Sequence, residues 1–171
     1  MEEKDQTRKS SLASRRDVLL AAWVARTIEM YPSTSREFLA REHDAFRNPA
    51  GNTLRQGLAG LLDGLLGARG LPDLVGQLEP IVRLLAVQDL APSRALSFLL
   101  HLKDLARQEA LCLGERAITE ATLLDTEVDQ LVLAGFDVYM KCREKICQIE
   151  VNAAKRSLYV HLSRQKRERY G

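Results

Sequence analysis

Apolar residues recur three and four positions apart along most of the chain, a spacing that predicts amphipathic helices rather than strands. The clearest case follows Pro92, which suits the first position of a helix because it has no N–H to leave unpaired and its φ is already helical. Asp89, just ahead of it, is placed to accept hydrogen bonds from the free amides of that helix. The apolar positions then cover more than half of the helix circumference, so we expect a central helix: Ala95, Leu96, Phe98, Leu99, Leu100, Leu102 and Leu105.

Capping signals predict two helices ahead of this region. Ser14 with Asp17 opens the first, and Tyr31-Pro32 ends it, because proline disfavours the helical conformation in the residue before it. Thr34 with Glu37 forms a capping box for a short second helix.

A third helix begins at Asn48-Pro49, with Asn as the cap and Pro at the first helical position. It contains Gly57, Gly60 and Gly64, each of which costs roughly 1 kcal/mol against Ala in a helix. Three such residues within eight positions indicate that another backbone approaches closely there. Leu71-Pro72-Asp73 predicts the start of the next helix, and Pro80 predicts a bend or restart within it. Gly114 predicts the end of the central helix.

The last helical run is unusually long. Thr122 with Asp125 opens it, and we expect it to cover about residues 123–168, with a length of roughly 65 Å at 1.5 Å per residue. That exceeds the core of a 171-residue domain, so its far end projects or pairs with another chain. Apolar residues recur along this helix at three- and four-residue spacing, and we expect a symmetric dimer built on the first and last helices. Lys145 and Asn152 interrupt the apolar series, so a clean coiled coil is not expected. The expected dimer contacts are Val128, Leu131, Val138, Cys142 and Ile149.

Composition agrees with one helical domain. Hydrophobic residues make up 46% of the chain and charged residues 28%, which is ordinary for a globular protein. Residues 1–14 have almost nothing to bury and predict a flexible arm, followed by a single domain over 15–171. The chain lacks the roughly 20-residue apolar run of a membrane span and the apolar core of a signal peptide, which predicts a cytoplasmic protein.

Candidate chemistry is sparse. No Ser/His/Asp order, phosphate-binding glycine loop or paired carboxylate stands out, which argues against an enzyme. His101 on the central helix is the one candidate cofactor ligand, for a haem, and the alternative is an ordinary helix histidine. Cys112 is expected to be a small core residue. Cys142 and Cys147 match no zinc spacing, and both a redox switch and ordinary thiols remain open for them.

The C-terminal run is basic, although the net charge of the whole chain is only +2. It suits nucleic acid or an anionic membrane, but Glu150 and Glu168 interrupt it and no recognition helix precedes it. A solvated tail without a nucleic-acid partner is therefore the preferred interpretation. The basic residues are Lys155, Arg156, Arg164, Lys166, Arg167 and Arg169.

Three segments are similar to a known family: residues 46–54 (FRNPAGNTL), residues 85–95 (LAVQDLAPSRA) and residues 136–139 (FDVY). They resemble the N-terminal domain of stressosome RsbT co-antagonist proteins of the RsbR/RsbRD type, over roughly residues 15–160. The resemblance implies a globin-like bundle of about six helices without haem or another cofactor, which forms dimers and acts as input to a STAS or kinase output domain. The corner at Gln88, Asp89 and Arg94 becomes a possible partner contact.

The first hypothesis is therefore a non-enzymatic sensory or regulatory domain. Because the chain contains no output domain, its signal is expected to pass to a separate protein. One alternative is a sensor that binds haem or another small molecule near His101. A second, suggested by similar short chains, is an accessory factor of a membrane redox complex of the sulfite-reduction type.

Overall fold

The computed structural model describes residues 11–42, 44–88 and 90–170, with only the backbone described for residue 160 and residues 162–170. Within these residues the chain forms a short 3-10 helix at Leu12–Arg15, six α-helices and no strand. The predicted all-α bundle with a long C-terminal helix is confirmed. The helices are α1 (Arg16–Ile28), α2 (Ser33–Arg41), α3 (Pro49–Leu66), α4 (Leu71–Val87), α5 (Pro92–Leu113) and α6 (Glu115–Tyr170).

Helix α5 lies at the centre, as its apolar circumference predicted. It packs against α1 and α6. Helix α4 packs between α6 and α3. The indole N–H of Trp23 on α1 donates to the carbonyl of Phe98 on α5 at 2.6 Å, and the two rings stack with their centroids 6.0 Å apart. Both side chains are fully buried, so this contact fixes α1 against α5.

Helix α3 begins as predicted. The Asn48 side chain accepts from the Gly51 amide at 2.8 Å, and its own amide donates to the Glu42 carbonyl at 2.9 Å. Asn48 therefore caps α3 and also holds the end of α2, which explains why this polar residue is only 1% exposed.

The glycines of α3 do mark a close approach, but the groups that approach are side chains of α4 rather than a backbone. A Cβ at Gly57 would lie 2.7 Å from Ile81, and one at Gly64 would lie 2.6 Å from Leu74. At Gly60 the neighbour is the amide oxygen of Gln77, at 2.5 Å.

Two predicted caps are wrong. Helix α1 begins at Arg16, and the Ser14 hydroxyl donates to the Ser11 carbonyl instead of capping it. Helix α2 begins at Ser33, ahead of the predicted Thr34 capping box, and Pro32 takes the cap position without a side-chain hydrogen bond. The predicted restart at Pro80 is also wrong, because α4 continues through it.

Helix α6 begins earlier than residue 123. Gly114, with φ of 97°, turns the chain out of α5, and α6 starts at the next residue. Thr122 lies inside the helix, where its hydroxyl donates to the Ile118 carbonyl. Cys112, expected in the core, is exposed near the end of α5, because the apolar surface of that last turn faces away from the bundle.

Packing also begins inside the segment expected to be an arm. Leu12 is 1% exposed, and its amide donates to the Glu120 carboxylate at 3.1 Å. Residues 1–10 lie outside the described residues.

Candidate interaction surfaces

His101, the candidate cofactor ligand, is half-buried on α5. Its Nδ1 is buried and has no hydrogen-bond partner among the described residues. No cluster of three His, Cys, Asp or Glu side chains in the described part of the chain is arranged to hold a metal ion. A haem role for His101 stays a prediction, and an absorbance spectrum after reconstitution with haem tests it.

The corner between α4 and α5 is held from two sides. Arg94 donates to the Met30 carbonyl at 3.2 Å, which ties the start of α5 to the end of α1. From α6, the Tyr139 hydroxyl donates to the Leu90 carbonyl and Arg143 donates to the Ala86 carbonyl. A shift of this corner therefore moves contacts with α6.

Among the described residues that are predicted to contact a partner at this corner, Gln88 is the one that is exposed and has no side-chain hydrogen bond to the bundle. Gln88 is exposed just after α4, Arg94 is occupied as above, and Asp89 lies outside the described residues.

Helix α6 leaves a groove beside α4, with a volume of about 540 Å³. Its floor is apolar, and charged side chains from both helices form its rim. Val87 and Ile149 are 68% and 58% exposed, so the groove is open to solvent along its end. The lining residues are Val75, Glu79, Arg83, Val87, Val138, Lys141, Cys142, Lys145, Ile146 and Ile149.

This groove contains only part of the predicted dimer seam. Val138, Cys142 and Ile149 line it, but Val128 and Leu131 are fully buried within the chain. Those two residues serve the core formed with neighbouring helices, so they offer nothing to a second molecule. The dimer itself stays a prediction.

A second apolar surface on α6 was missed from the sequence. Leu133, Met140 and Leu158 are 71%, 48% and 62% exposed. At 3.6 residues per turn they and their apolar neighbours lie within an arc of about 60°, whose centre is about 130° round the helix from the centre of the buried face. We call this surface the outer stripe: Leu133, Phe136, Met140, Cys147, Val151 and Leu158.

The signal for the outer stripe was present in the sequence. Two apolar series run along α6 at three- and four-residue spacing, one through Val128 and Leu131 and the other through Leu133 and Met140. Periodicity alone cannot say which series faces the bundle. Of the residues that the sequence predicts to face a partner, Val128 and Leu131 face the bundle instead.

The surfaces suit contacts between helices. Apolar side chains with a charged rim match helix-in-groove binding and helix pairing. The three cysteines are free thiols in different settings, since Cys142 is half-buried in the groove while Cys112 and Cys147 are exposed. None of the described helices carries an apolar stretch of the length that a bilayer crossing needs.

The structure is an all-α bundle whose last helix has exposed apolar faces. Over residues 17–151 the chain matches the model of the RsbT co-antagonist protein RsbRD N-terminal domain, so the chain belongs to that family and is a stressosome-type regulatory domain. No curated protein and no solved structure matches it significantly.

Proposed function

We propose that this chain is a non-enzymatic regulatory input domain that acts on a separate output protein through the groove between α4 and α6. The observation that carries the proposal is the groove itself, an apolar channel with a charged rim beside a helix that continues past the bundle. Membership of a regulatory family supports a role in signalling. The cytoplasmic location expected from the sequence is part of this proposal.

The groove suits an amphipathic helix of an output protein. Val87, Ile146 and Ile149 offer apolar contacts at its open end, and Lys141 and Lys145 favour acidic residues along the edge of the bound helix, whereas Arg83 is already paired with Glu79. Burial of apolar area supplies most of the affinity in such contacts, while the charges select the partner.

The same groove is linked to the corner between α4 and α5. Arg143 follows Cys142 of the groove along α6 and donates to the Ala86 carbonyl, next to Val87. Movement of the corner changes the width of the groove, which provides a route by which a signal felt elsewhere in the bundle reaches the output protein.

The experiment is a tagged pull-down from the native host, with bound proteins identified by mass spectrometry. The full chain is compared with a Val87→Glu, Ile149→Glu variant and with a Leu111→Glu control on α5, where Leu111 is 73% exposed. A specific partner is retained by the full chain and the control and lost by the groove variant. Calorimetry with the purified partner then repeats the comparison.

Equal capture by the groove variant and the full chain would reject the groove as the output site. Recovery of a STAS protein or a kinase would identify the output class expected from the family resemblance.

A further inference from the structure

The last part of α6, residues 151–170, continues as a helix after Ile149, the last residue that lines the groove. At 1.5 Å per residue this segment is about 30 Å long, and we call it the basic end of α6. Residues 151–159 are all exposed. Over those residues the helix therefore presents its whole circumference to other molecules.

The charge of this segment is strongly positive. Residues 151–170 contain six Lys or Arg and one Glu, whereas residues 117–140 of the same helix contain five acidic residues and no Lys or Arg. Neither Lys155 nor Arg156 has an acidic residue three or four positions away, so their charges are not neutralised by neighbours on the helix. The basic end of α6 is therefore complementary to a negatively charged partner.

Apolar side chains of the outer stripe lie among these charges. Val151 and Leu158 are 45% and 62% exposed, and at 3.6 residues per turn they and Ala154 lie within an arc of about 60°. Lys155 lies about 40° beyond this arc, and Tyr159, which is 75% exposed, lies about 40° further round. An apolar arc flanked by a lysine and a tyrosine is typical of helices that lie in the surface of a bilayer, where such side chains extend along the lipid boundary.

The positions of the charges distinguish lipid from other negatively charged partners. Lys155 lies beside the apolar arc, whereas Arg156 lies on nearly the opposite side of the helix, and both are exposed. A groove in another protein would contact one of these sides. A charged bilayer acts on both, because the helix diameter of about 10–12 Å is close to the Debye length. Nucleic acid is also negatively charged, but its phosphate backbone offers no apolar surface to Val151 and Leu158.

We infer that the basic end of α6 binds the surface of an anionic lipid bilayer, with Val151, Ala154 and Leu158 in the interfacial layer. The negative surface potential of a cytoplasmic leaflet attracts basic segments of this kind. The acidic residues at 117–140 keep the earlier part of the outer stripe, at Leu133 and Met140, away from the same surface. The contact is therefore made by the end of the helix and not by its whole length.

The bundle does not block this contact. The buried face of α6, with Leu124, Val128 and Leu131, is centred about 130° round the helix from the apolar arc. The basic end of α6 also begins after the groove residues, so the proposed output site stays open. A domain bound in this way presents its regulatory groove next to a membrane.

The first test is co-sedimentation of the full chain with two kinds of vesicle, one of phosphatidylcholine alone and one of phosphatidylcholine and phosphatidylglycerol in equal parts. We expect binding to the anionic vesicles alone, with an affinity that falls as the salt concentration rises. Equal binding to both kinds would overturn the inference. Binding to neither would also overturn it, and a dimeric chain in that case would assign the outer stripe to a second copy.

Removal of charge tests whether the basic end of α6 makes the contact. The double variant Lys155→Gln, Arg156→Gln should weaken binding to the anionic vesicles by about 30-fold, because both residues lie within reach of the surface potential. The matched control, Arg41→Gln, Arg47→Gln, removes the same charge from exposed side chains of the bundle and should leave binding nearly unchanged. Equal losses in the two double variants would show that net charge alone drives binding, and would reject this site.

The apolar contact is tested with a matched pair of leucines. Leu158→Ser should weaken binding by about tenfold, because it removes apolar area from the interface. Leu133→Ser, on the same stripe but in the acidic part of α6, should have no effect. The two side chains are 62% and 71% exposed, so neither change disturbs the core. Unchanged binding by Leu158→Ser would contradict insertion of the apolar arc.

A fluorescent probe separates lipid from nucleic acid. Trp23 is the single tryptophan and is fully buried, so Tyr159→Trp adds an indole that reports on the basic end of α6 alone. We expect its emission to shift to shorter wavelength with anionic vesicles, as the indole enters the interface. A duplex oligonucleotide should give no such shift. Tighter binding to the duplex than to the vesicles would identify nucleic acid as the partner and reject the inference.

Discussion

At the scale of single residues, Asn48 joins three parts of the chain. Its side-chain oxygen caps α3 through the Gly51 amide, while its amide group reaches the Glu42 carbonyl beyond the end of α2. Its burial is possible only because both ends of the side chain are hydrogen-bonded. A sequence pattern identifies the cap, but it does not show the second role.

Removing this side chain should therefore destabilise the protein more than the loss of an ordinary helix cap does. We expect Asn48→Ala to lower the free energy of unfolding by about 2–3 kcal/mol, because the Gly51 amide loses its partner and the Glu42 carbonyl keeps only the longer hydrogen bond from Arg55, at 3.4 Å. Urea denaturation measures the change, and Asn52→Ala, one turn further into α3, is the control. A loss no larger than that of the control would show that the cap contributes little.

Tyr31 gives a pH-dependent prediction. It is 4% exposed, its hydroxyl has no hydrogen-bond partner among the described residues, and burial raises its pKa from 10.0 to about 12. As the pH rises, the unfolded chain releases this proton first. The contribution of the neutral tyrosine to stability is therefore complete below about pH 10 and is lost as the pH rises to about 12.

Tyr31→Phe should remove this part of the alkaline loss. We expect the variant to match the full chain at neutral pH and to exceed its unfolding free energy by about 1–2 kcal/mol near pH 12. Denaturant titrations at a series of pH values measure the difference, with Tyr159→Phe, 75% exposed, as the control. A constant difference across the pH series would contradict the assignment.

At the scale of elements, two glycines of α3 that contact α4 differ in the side chain that each one faces. The neighbour of Gly60 is the end of the exposed and flexible Gln77 side chain, whereas Gly57 faces Ile81, which is fully buried. We expect Gly60→Ala to stabilise the protein by about 0.5–1 kcal/mol through helix propensity. Gly57→Ala should destabilise it by about 1 kcal/mol or more, because Ile81 cannot move without disturbing the core.

Thermal unfolding followed by circular dichroism compares the two variants directly. Since both changes add the same methyl group to the same helix, propensity cancels in the comparison. Equal effects would mean that α4 shifts as easily at Ile81 as at Gln77.

The sequence predicted the elements well where local chemistry decides them. Asn48-Pro49 and Pro92 set helix starts that depend on neighbouring residues alone, and the all-α fold followed from spacing. Thr34 and Thr122 failed as caps because Pro32 and Gly114 had already set the helix starts upstream. The contact surfaces could not be predicted in the same way, since the choice between the faces of Val128 and Leu133 depends on which helices pack against α6.

At the scale of the whole molecule, charge is divided between the bundle and the projecting helix. Residues 141–170 carry nine of the 25 Lys and Arg residues but only three of the 23 Asp and Glu residues. The rest of the chain is therefore acidic, although the net charge of the whole is only +2. A small net charge therefore conceals an uneven distribution, with a basic C-terminal half of α6 and an acidic remainder.

This division gives a prediction about stability and concentration. A chain that ends after Glu150 keeps the bundle and its groove but loses Val151 and Leu158 of the outer stripe. Pairing of two copies, as expected from the sequence, would stabilise the folded full chain, so a hundredfold rise in concentration should raise its Tm by about 3–5 °C. The shortened chain should show one Tm at all concentrations, equal to that of the dilute full chain, because residues 151–159 are exposed and add no packing to the bundle.

Calorimetry at several concentrations measures the Tm of both chains, with full-length Met140→Glu as the control that should follow the shortened chain. A full chain whose Tm does not change with concentration would mean that α6 projects alone, and a lower Tm in the shortened chain at high dilution would mean that its end packs on the bundle.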